Sequence, residues 1–320
     1  MPDTGLDRAP PASASRKFQD RSLTGKGEPR AFVSLQRLTT LWFNTGSLCN
    51  IACQNCYIES SPHNDRLGYL TAAEVYEYIQ EIQENGLPVE QIAFTGGEPF
   101  LNREFLPMLR HALSLGFKVL VLTNAMKPMQ QRGSALLDVQ RQHAAHLTIR
   151  VSIDHYLPDR HEAIRGHGTW GGALTGLRWL CANGFCVDVA GRKLWGETET
   201  SMRAGFARLF AAEGLPIDAA DPNRLVLFPE MDPRAEVPEI TTSCWGILGV
   251  RPEQMMCAWS RMIIKRKGES HPVVVPCTLL PYDPQFELGR HLTDAAATVH
   301  LNHPFCAQFC VLGGASCSSA

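Results

Sequence analysis

Between Leu38 and about residue 230 the chain alternates short apolar runs with longer amphipathic stretches, and no other feature constrains its fold as much. Six runs read as strands: "TTLWFN", "QIAFT", "FKVLVLT", "LTIRVSID", "FCVDVAG" and "RLVLFP". Helical segments lie between them. "TAAEVYEYIQEIQEN" opens on Thr71 with Glu74 three positions on, a capping box, followed by apolar residues at helical spacing. "REFLPMLRHALSLG" stops at Gly116, a helix is expected between Pro128 and about His146, and "TWGGALTGLRWLCANG" and "TSMRAGFARLFAAEG" supply two more. Strands that alternate with helices pair in parallel through right-handed crossovers. The expected fold class is therefore α/β, a partial (β/α)6 TIM-like barrel over residues 36–235. The pattern breaks before eight repeats can fit. Residues 1–35, rich in Pro, Ser, Ala and charge without apolar period, read as a disordered leader. Residues 240–320 read as a small irregular cysteine-rich unit, too short to stand on its own core and so expected to rely on bound metal.

Composition narrows the function. With 44% hydrophobic and 19% charged residues the chain is that of an ordinary globular protein, and a formal charge of -2 gives no reason to expect nucleic acid as a partner. No run approaches the roughly 18 apolar residues of a membrane span, and "MPDTGLDRAPPASASRK" lacks the apolar segment of a secretory signal. The expected setting is cytoplasmic, with no membrane partner. In a reducing compartment the eleven cysteines are not a disulfide framework. Cys181 and Cys186 sit in apolar surroundings and read as packing. The others fall into two groups.

The first is "CNIACQNCYIES", in which Cys49, Cys53 and Cys56 are spaced C-x3-C-x2-C directly after the first strand. A structural zinc site closes with four ligands; three on one loop leave a metal centre with an open position. "TGGEP" (Thr95 to Pro99) follows the second strand, "TNA" (Thr123 to Ala125) the third, and "VSIDH" closes the fourth at His155. Loops at the carboxyl ends of parallel strands converge on one mouth, where such folds place their chemistry. The three cysteines with G-G-E-P, in that order and context, resemble the radical S-adenosylmethionine (SAM) superfamily. "VSIDHYLPDRHEAIRGHGTWGGALTGLRWL" is similar to its branch with a SPASM or twitch extension.

The resemblance implies that Cys49, Cys53 and Cys56 each ligate one iron of a [4Fe-4S] cluster, whose fourth iron takes the methionine end of SAM. An electron from the cluster then splits SAM into a 5'-deoxyadenosyl radical, chemistry that the cofactors carry while the protein positions them. It implies further that Gly96 and Gly97 let backbone approach the methionine end and that Glu98 accepts from its ammonium group. Ser152 would face the cofactor and Arg165 hold its carboxylate. The residue before the third cysteine is usually aromatic in the family; here it is Asn55, which would make a polar contact near the adenine instead. Asp154, His155 and His167 also fall in mouth-side loops; Asp154 is weighed as a substrate or ribose contact, and the two histidines stay outside the expected site.

The second group, Cys257, Cys277, Cys306, Cys310 and Cys317, with Cys244 nearby, resembles the cysteines of SPASM and twitch extensions, although C-x3-C-x6-C at the end departs from the family's C-x2-C-x5-C. An auxiliary iron–sulfur cluster is the expectation and a structural zinc site the alternative. The chemistry implied is hydrogen abstraction from a peptide or small molecule, fed by a donor such as flavodoxin or ferredoxin. The chain has no room before the barrel for a peptide-recognition domain of the usual kind, which weighs against a long leader-bearing peptide. A noncatalytic iron–sulfur carrier or cluster scaffold is the rival reading; it needs neither G-G-E-P nor a barrel mouth.

Overall fold

The structure, a computed structural model, describes residues 17–316. A short strand β1 (Phe32–Val33) is followed by β2 (Thr40–Asn44), α1 (Ala72–Glu84), β3 (Gln91–Thr95), α2 (Phe105–Ser114) and β4 (Lys118–Thr123). Then come α3 (Lys127–Gln130), α4 (Gly133–His143), β5 (Leu147–Ser152), α5 (Pro158–Arg165), α6 (Thr169–Ala182), β6 (Cys186–Lys193), α7 (Glu199–Ala212) and β7 (Leu225–Pro229). The remainder holds α8 (Cys244–Leu248), β8 (Ser260–Ile264), β9 (Val273–Val275), β10 (Val299–His300) and a π-helical turn, Cys306–Val311.

One sheet in the order β7-β6-β5-β4-β3-β2-β8-β9 carries the fold. The six expected strands, β2 to β7, lie side by side in parallel register, as in Phe43 opposite Phe94 and Phe94 opposite Val121. This is the partial barrel read from the sequence. The capping box of α1 is formed: Thr71 Oγ1 accepts from the Glu74 amide at 3.2 Å and Glu74 accepts from the Thr71 amide at 2.8 Å. Period two divides the strands between two cores. Phe43, Phe94, Val121, Ile149 and Val189 face the helices, while Trp42, Ala93, Leu120 and Ala190 face the C-terminal part of the chain.

Three expectations need correction. The helix between Pro128 and His146 is two helices, broken at Gln131–Arg132 where the chain turns onto Gly133. The disordered leader does not extend to residue 35: its first 16 residues lie outside the described part, but Lys17 and Phe18 bond to Glu236 and Glu239, and Thr24, Arg30, Ala31 and Val33 are buried. Arg30 is buried, pairs with Glu239 at 2.6 Å, and β1 pairs with β10. Finally, residues 240–320 do not stand apart from the barrel, because β8 pairs in parallel with β2, Leu41 opposite Arg261, and β9 adds antiparallel to β8. Both added strands are buried on both faces, so "SRMII" and "VVV" carry no alternation for a sequence reading to find.

Candidate active site

Because β2 to β7 run the same way, the segments that follow them meet at one edge of the sheet. A cavity there is lined by Cys49, Cys53 and Cys56 from the loop after β2, Gly96 and Gly97 after β3, Thr123 and Asn124 at the end of β4, and Ser152 and Asp154 at the end of β5. Arg165 from the end of α5 and Arg192 from β6 complete this wall. The empty space between these walls, open mouth and solvent included, is about 1030 Å³. Seven of the residues expected from the sequence thus share one cavity: the three cysteines, Gly96, Gly97, Ser152 and Arg165.

The glycines have a different local reason from the one expected. Gly97 donates its amide to Gly46 O at 2.8 Å, and a Cβ on Gly97 would lie 1.9 Å from Leu48 O. Gly96 has φ +145° and a Cβ there would meet Gly46 O at 2.6 Å. The close approach is therefore to the backbone entering the cysteine loop. Only glycine lets β3 and this loop lie so near.

Glu98 lies behind the wall and does not line the cavity. It is 1% exposed, accepts from Thr123 Oγ1 at 2.9 and 3.0 Å, from the Asn124 amide at 2.9 Å and from the Phe100 amide at 3.3 Å. Burial pushes its carboxyl up to about 7 despite these donors. Glu98 is thus a clamp between the β3 and β4 loops. Asn124, held by it, reaches the cysteine loop by donating to Asn50 Oδ1 at 2.9 Å.

Arg165 approaches Asp154 through Nε at 2.9 Å and Nη2 at 3.1 Å. Burial works against ionisation of Asp154, but Arg165 and Arg192 outweigh it and hold the carboxyl below its ordinary range. Arg192, which the sequence reading missed, lies 3.3 Å from Asp154, donates to the carbonyls of Gln54 and Asn55 at 3.1 Å, and faces Glu230 at 3.7 Å. Its one signal in sequence is a cation at the end of a buried strand, "VDVAGRK". Two arginines and two carboxylates thereby fix the cysteine loop from the β5, β6 and β7 side. Asn55, at φ +49°, donates to Glu230 Oε1 at 2.8 Å and lines a second cavity on the far side of the loop. Left-handed backbone explains an asparagine there better than a contact in the first cavity. Among the cysteines, burial pushes Cys49 up to about 12 and raises Cys53. His155 is buried against Glu197 at 2.7 Å and does not line the cavity; His167 is exposed.

Cys257, Cys277, Cys306 and Cys310 line a separate small cavity whose other walls are apolar: Met255, Met256, Pro276, Leu279, Leu280, Val299 and Leu301. Cys244 is elsewhere, beside Thr241, and Cys317 lies outside the described residues. Among the described residues no three Cys, His, Asp or Glu side chains converge on a single metal ion. Between the two cysteine sets stands an aromatic group. Tyr57, next to Cys56, and Phe309, next to Cys310, have ring centroids 5.6 Å apart, and both pack on Phe228.

The mouth of a partial barrel with three cysteines on its first loop lies within residues 43–192, and that stretch matches the family model of the radical SAM superfamily. The chain is similar to the S-adenosylmethionine-dependent nucleotide dehydratase of Selenomonas ruminantium, 38% identical over 76 residues, covering 24% of this chain and 26% of that protein. It is also similar to the antilisterial bacteriocin subtilosin biosynthesis protein AlbA of Bacillus subtilis (strain 168), 29% identical over 143 residues, covering 44% of this chain and 30% of the relative. In both cases the match spans less than a third of the curated relative's length. Among solved structures, SuiB of Streptococcus suis bound to S-adenosylmethionine superposes with a TM-score of 0.56 at 10% identity, covering 79% of this chain and 63% of that one, a likeness of fold.

Proposed function

We propose that the protein is a radical SAM enzyme acting on a peptide or small molecule. The observation that carries this is the single cavity in which Cys49, Cys53 and Cys56 face Gly96, Gly97, Ser152 and Arg165. The donor set fits the group: three sulfurs from one loop face one cavity at the mouth of the sheet. When bound, a [4Fe-4S] cluster supplies the electron that cleaves SAM to a 5'-deoxyadenosyl radical, which abstracts hydrogen from the substrate. Cys49, Cys53 and Cys56 hold iron. Ser152 offers a hydroxyl to the cofactor. Arg165 donates to Asp154 through Nη2 and lies beside it through Nε, and its outer N–H groups are assigned to an anionic group such as a carboxylate. Arg192 and Glu98 keep the loops in place, and the apolar side of the cavity, Ile51, Leu122 and Phe228, limits water around a reactive radical.

Both substrate classes have support among the relatives. One is named for nucleotide dehydration and one for making a bacteriocin, and SuiB has a structure bound to precursor peptide SuiA. The C-terminal cysteines hold a second iron–sulfur centre in this reading. A single zinc draws its donors onto one point, and Cys257, Cys277, Cys306 and Cys310 surround a cavity without converging that tightly. A low-potential donor such as flavodoxin or ferredoxin supplies the electron, in a cytoplasmic setting. No described helix is long and apolar enough to cross a membrane.

The test is anaerobic reconstitution with iron and sulfide, then reduction with dithionite in the presence of SAM. Release of 5'-deoxyadenosine is expected from the parent protein and not from Cys53→Ala, whose remaining two cysteines cannot hold the cluster. Equal release from the variant would remove the assignment. A noncatalytic carrier would take up iron and release none.

A further inference from the structure

Arg261 is an anomaly beside the four C-terminal cysteines. It stands on β8, is 0% exposed, and among the described residues has no carboxylate partner. Its guanidinium donates only to backbone: Ala295 O at 2.9 Å, Ser260 O at 2.8 Å, Ala297 O at 3.3 Å and the Cys257 carbonyl. Carbonyl dipoles satisfy the donors but leave the net charge buried, which is costly without an anion nearby. The buried pairs elsewhere in this chain show the usual remedy, Arg30 with Glu239 and Arg165 with Asp154. The charged groups that bear on Arg261 are the sulfurs of Cys257 and Cys277. As iron ligands they are thiolates of a centre that is anionic as a whole.

We propose that Arg261 is the internal counter-charge of an anionic iron–sulfur centre held by Cys257, Cys277, Cys306 and Cys310, and that it keeps the reduction potential of that centre high. The proposal rests on the reading above that these cysteines hold iron; Cys244, beside Thr241, is not among them. Reduction adds a negative charge to the centre. A fixed cation beside it in a poorly polarisable interior favours the reduced state, so the potential rises. Arginine suits the role because it stays protonated and its fork fits several carbonyls at once.

The experiment uses the full chain with Cys49, Cys53 and Cys56 all changed to Ala, so that only the second centre remains. Iron and sulfide are counted, and the midpoint potential is read by EPR during a redox titration. The parent is expected to hold about four of each per chain. Arg261→Gln should keep iron and sulfide while its midpoint falls, and Arg261→Lys should stay near the parent. Ala297→Asp offers a second route, since Ala297 is exposed and its carbonyl already accepts from Arg261. It puts a carboxylate on the residue whose carbonyl holds the guanidinium, without removing that bond, and its midpoint should fall as well. A folded parent without iron overturns the second centre and the counter-charge together, leaving the test of the first site untouched. A parent that holds iron, with an unchanged midpoint in Arg261→Gln, or in Ala297→Asp should the glutamine variant not fold, overturns the role of Arg261 alone.

Discussion

At the scale of single residues, Glu98 has the most testable character. The sequence reading aimed it at SAM; the structure surrounds it with Thr123, Asn124 and Phe100 instead. Its carboxyl rises from 4.5 to about 7 through burial. Between those values the folded chain binds a proton that the unfolded chain releases, so this residue's contribution to stability falls as pH rises through the window. The cost above pH 7 is about 3 kcal/mol at about 1.4 kcal/mol per pH unit. Glu98→Gln has no such proton to lose. In urea unfolding of iron-free protein, the variant is expected to gain on the parent by about that amount between pH 4.5 and 8. Parallel stability curves for the two would remove this account of Glu98. Asp154 behaves oppositely, because its carboxyl is held low by two arginines; that part of the stability is lost only as pH falls into the acid range.

At the scale of elements, α6 shows why loop geometry depends on packing partners. Gly171 on its exposed side has nothing within 4 Å of a built Cβ, whereas at Gly176 the same atom would lie 1.9 Å from Ala125 O. Ala125 adjoins Asn124, which ties the β4 loop to the cysteine loop. Gly171→Ala is expected to stabilise by at most about 0.5–1 kcal/mol, the gain of a helix interior, because Gly171 stands in the first turn of α6. Gly176→Ala must push α6 off the β4 loop. It should cost several times that amount, about 2–4 kcal/mol, and lower the iron bound at Cys49, Cys53 and Cys56. Denaturation midpoints and iron content check both, and similar stabilities for the two alanine variants would show that α6 does not support the site. In "TWGGALTGLRWLCANG" the glycines look alike; only the packing separates them.

At the scale of the whole molecule, the C-terminal part of the chain is a component of the barrel. Removing residues 240–320 strips β8 from β2 and uncovers the face carrying Trp42, Ala93 and Leu120. It also removes β10 from β1. From sequence alone, such a truncation would be expected to leave a working barrel. The structure predicts the reverse, a chain that aggregates or fails to bind SAM, because an exposed β2 edge and an open apolar face are both association-prone. A soluble, monomeric truncation with full SAM cleavage would refute that integration.

What the sequence by itself determined is local and repetitive. Period-two and helical patterns identified β2 to β7, the capping box fixed the start of α1, and C-x3-C-x2-C with G-G-E-P after successive strands located the mouth. Those features depend on neighbours a few residues away or on the direction of parallel strands. Tertiary structure alone decided where lone polar groups point. Glu98 turned inward to bind backbone amides, Asn55 turned to Glu230, and Arg192 came from the end of a buried strand to hold the cysteine loop. It also decided that β8 joins β2 across more than two hundred residues of chain. A strand buried on both faces shows no alternation, and the direction of a buried charge is set by partners that the sequence brings near only after folding.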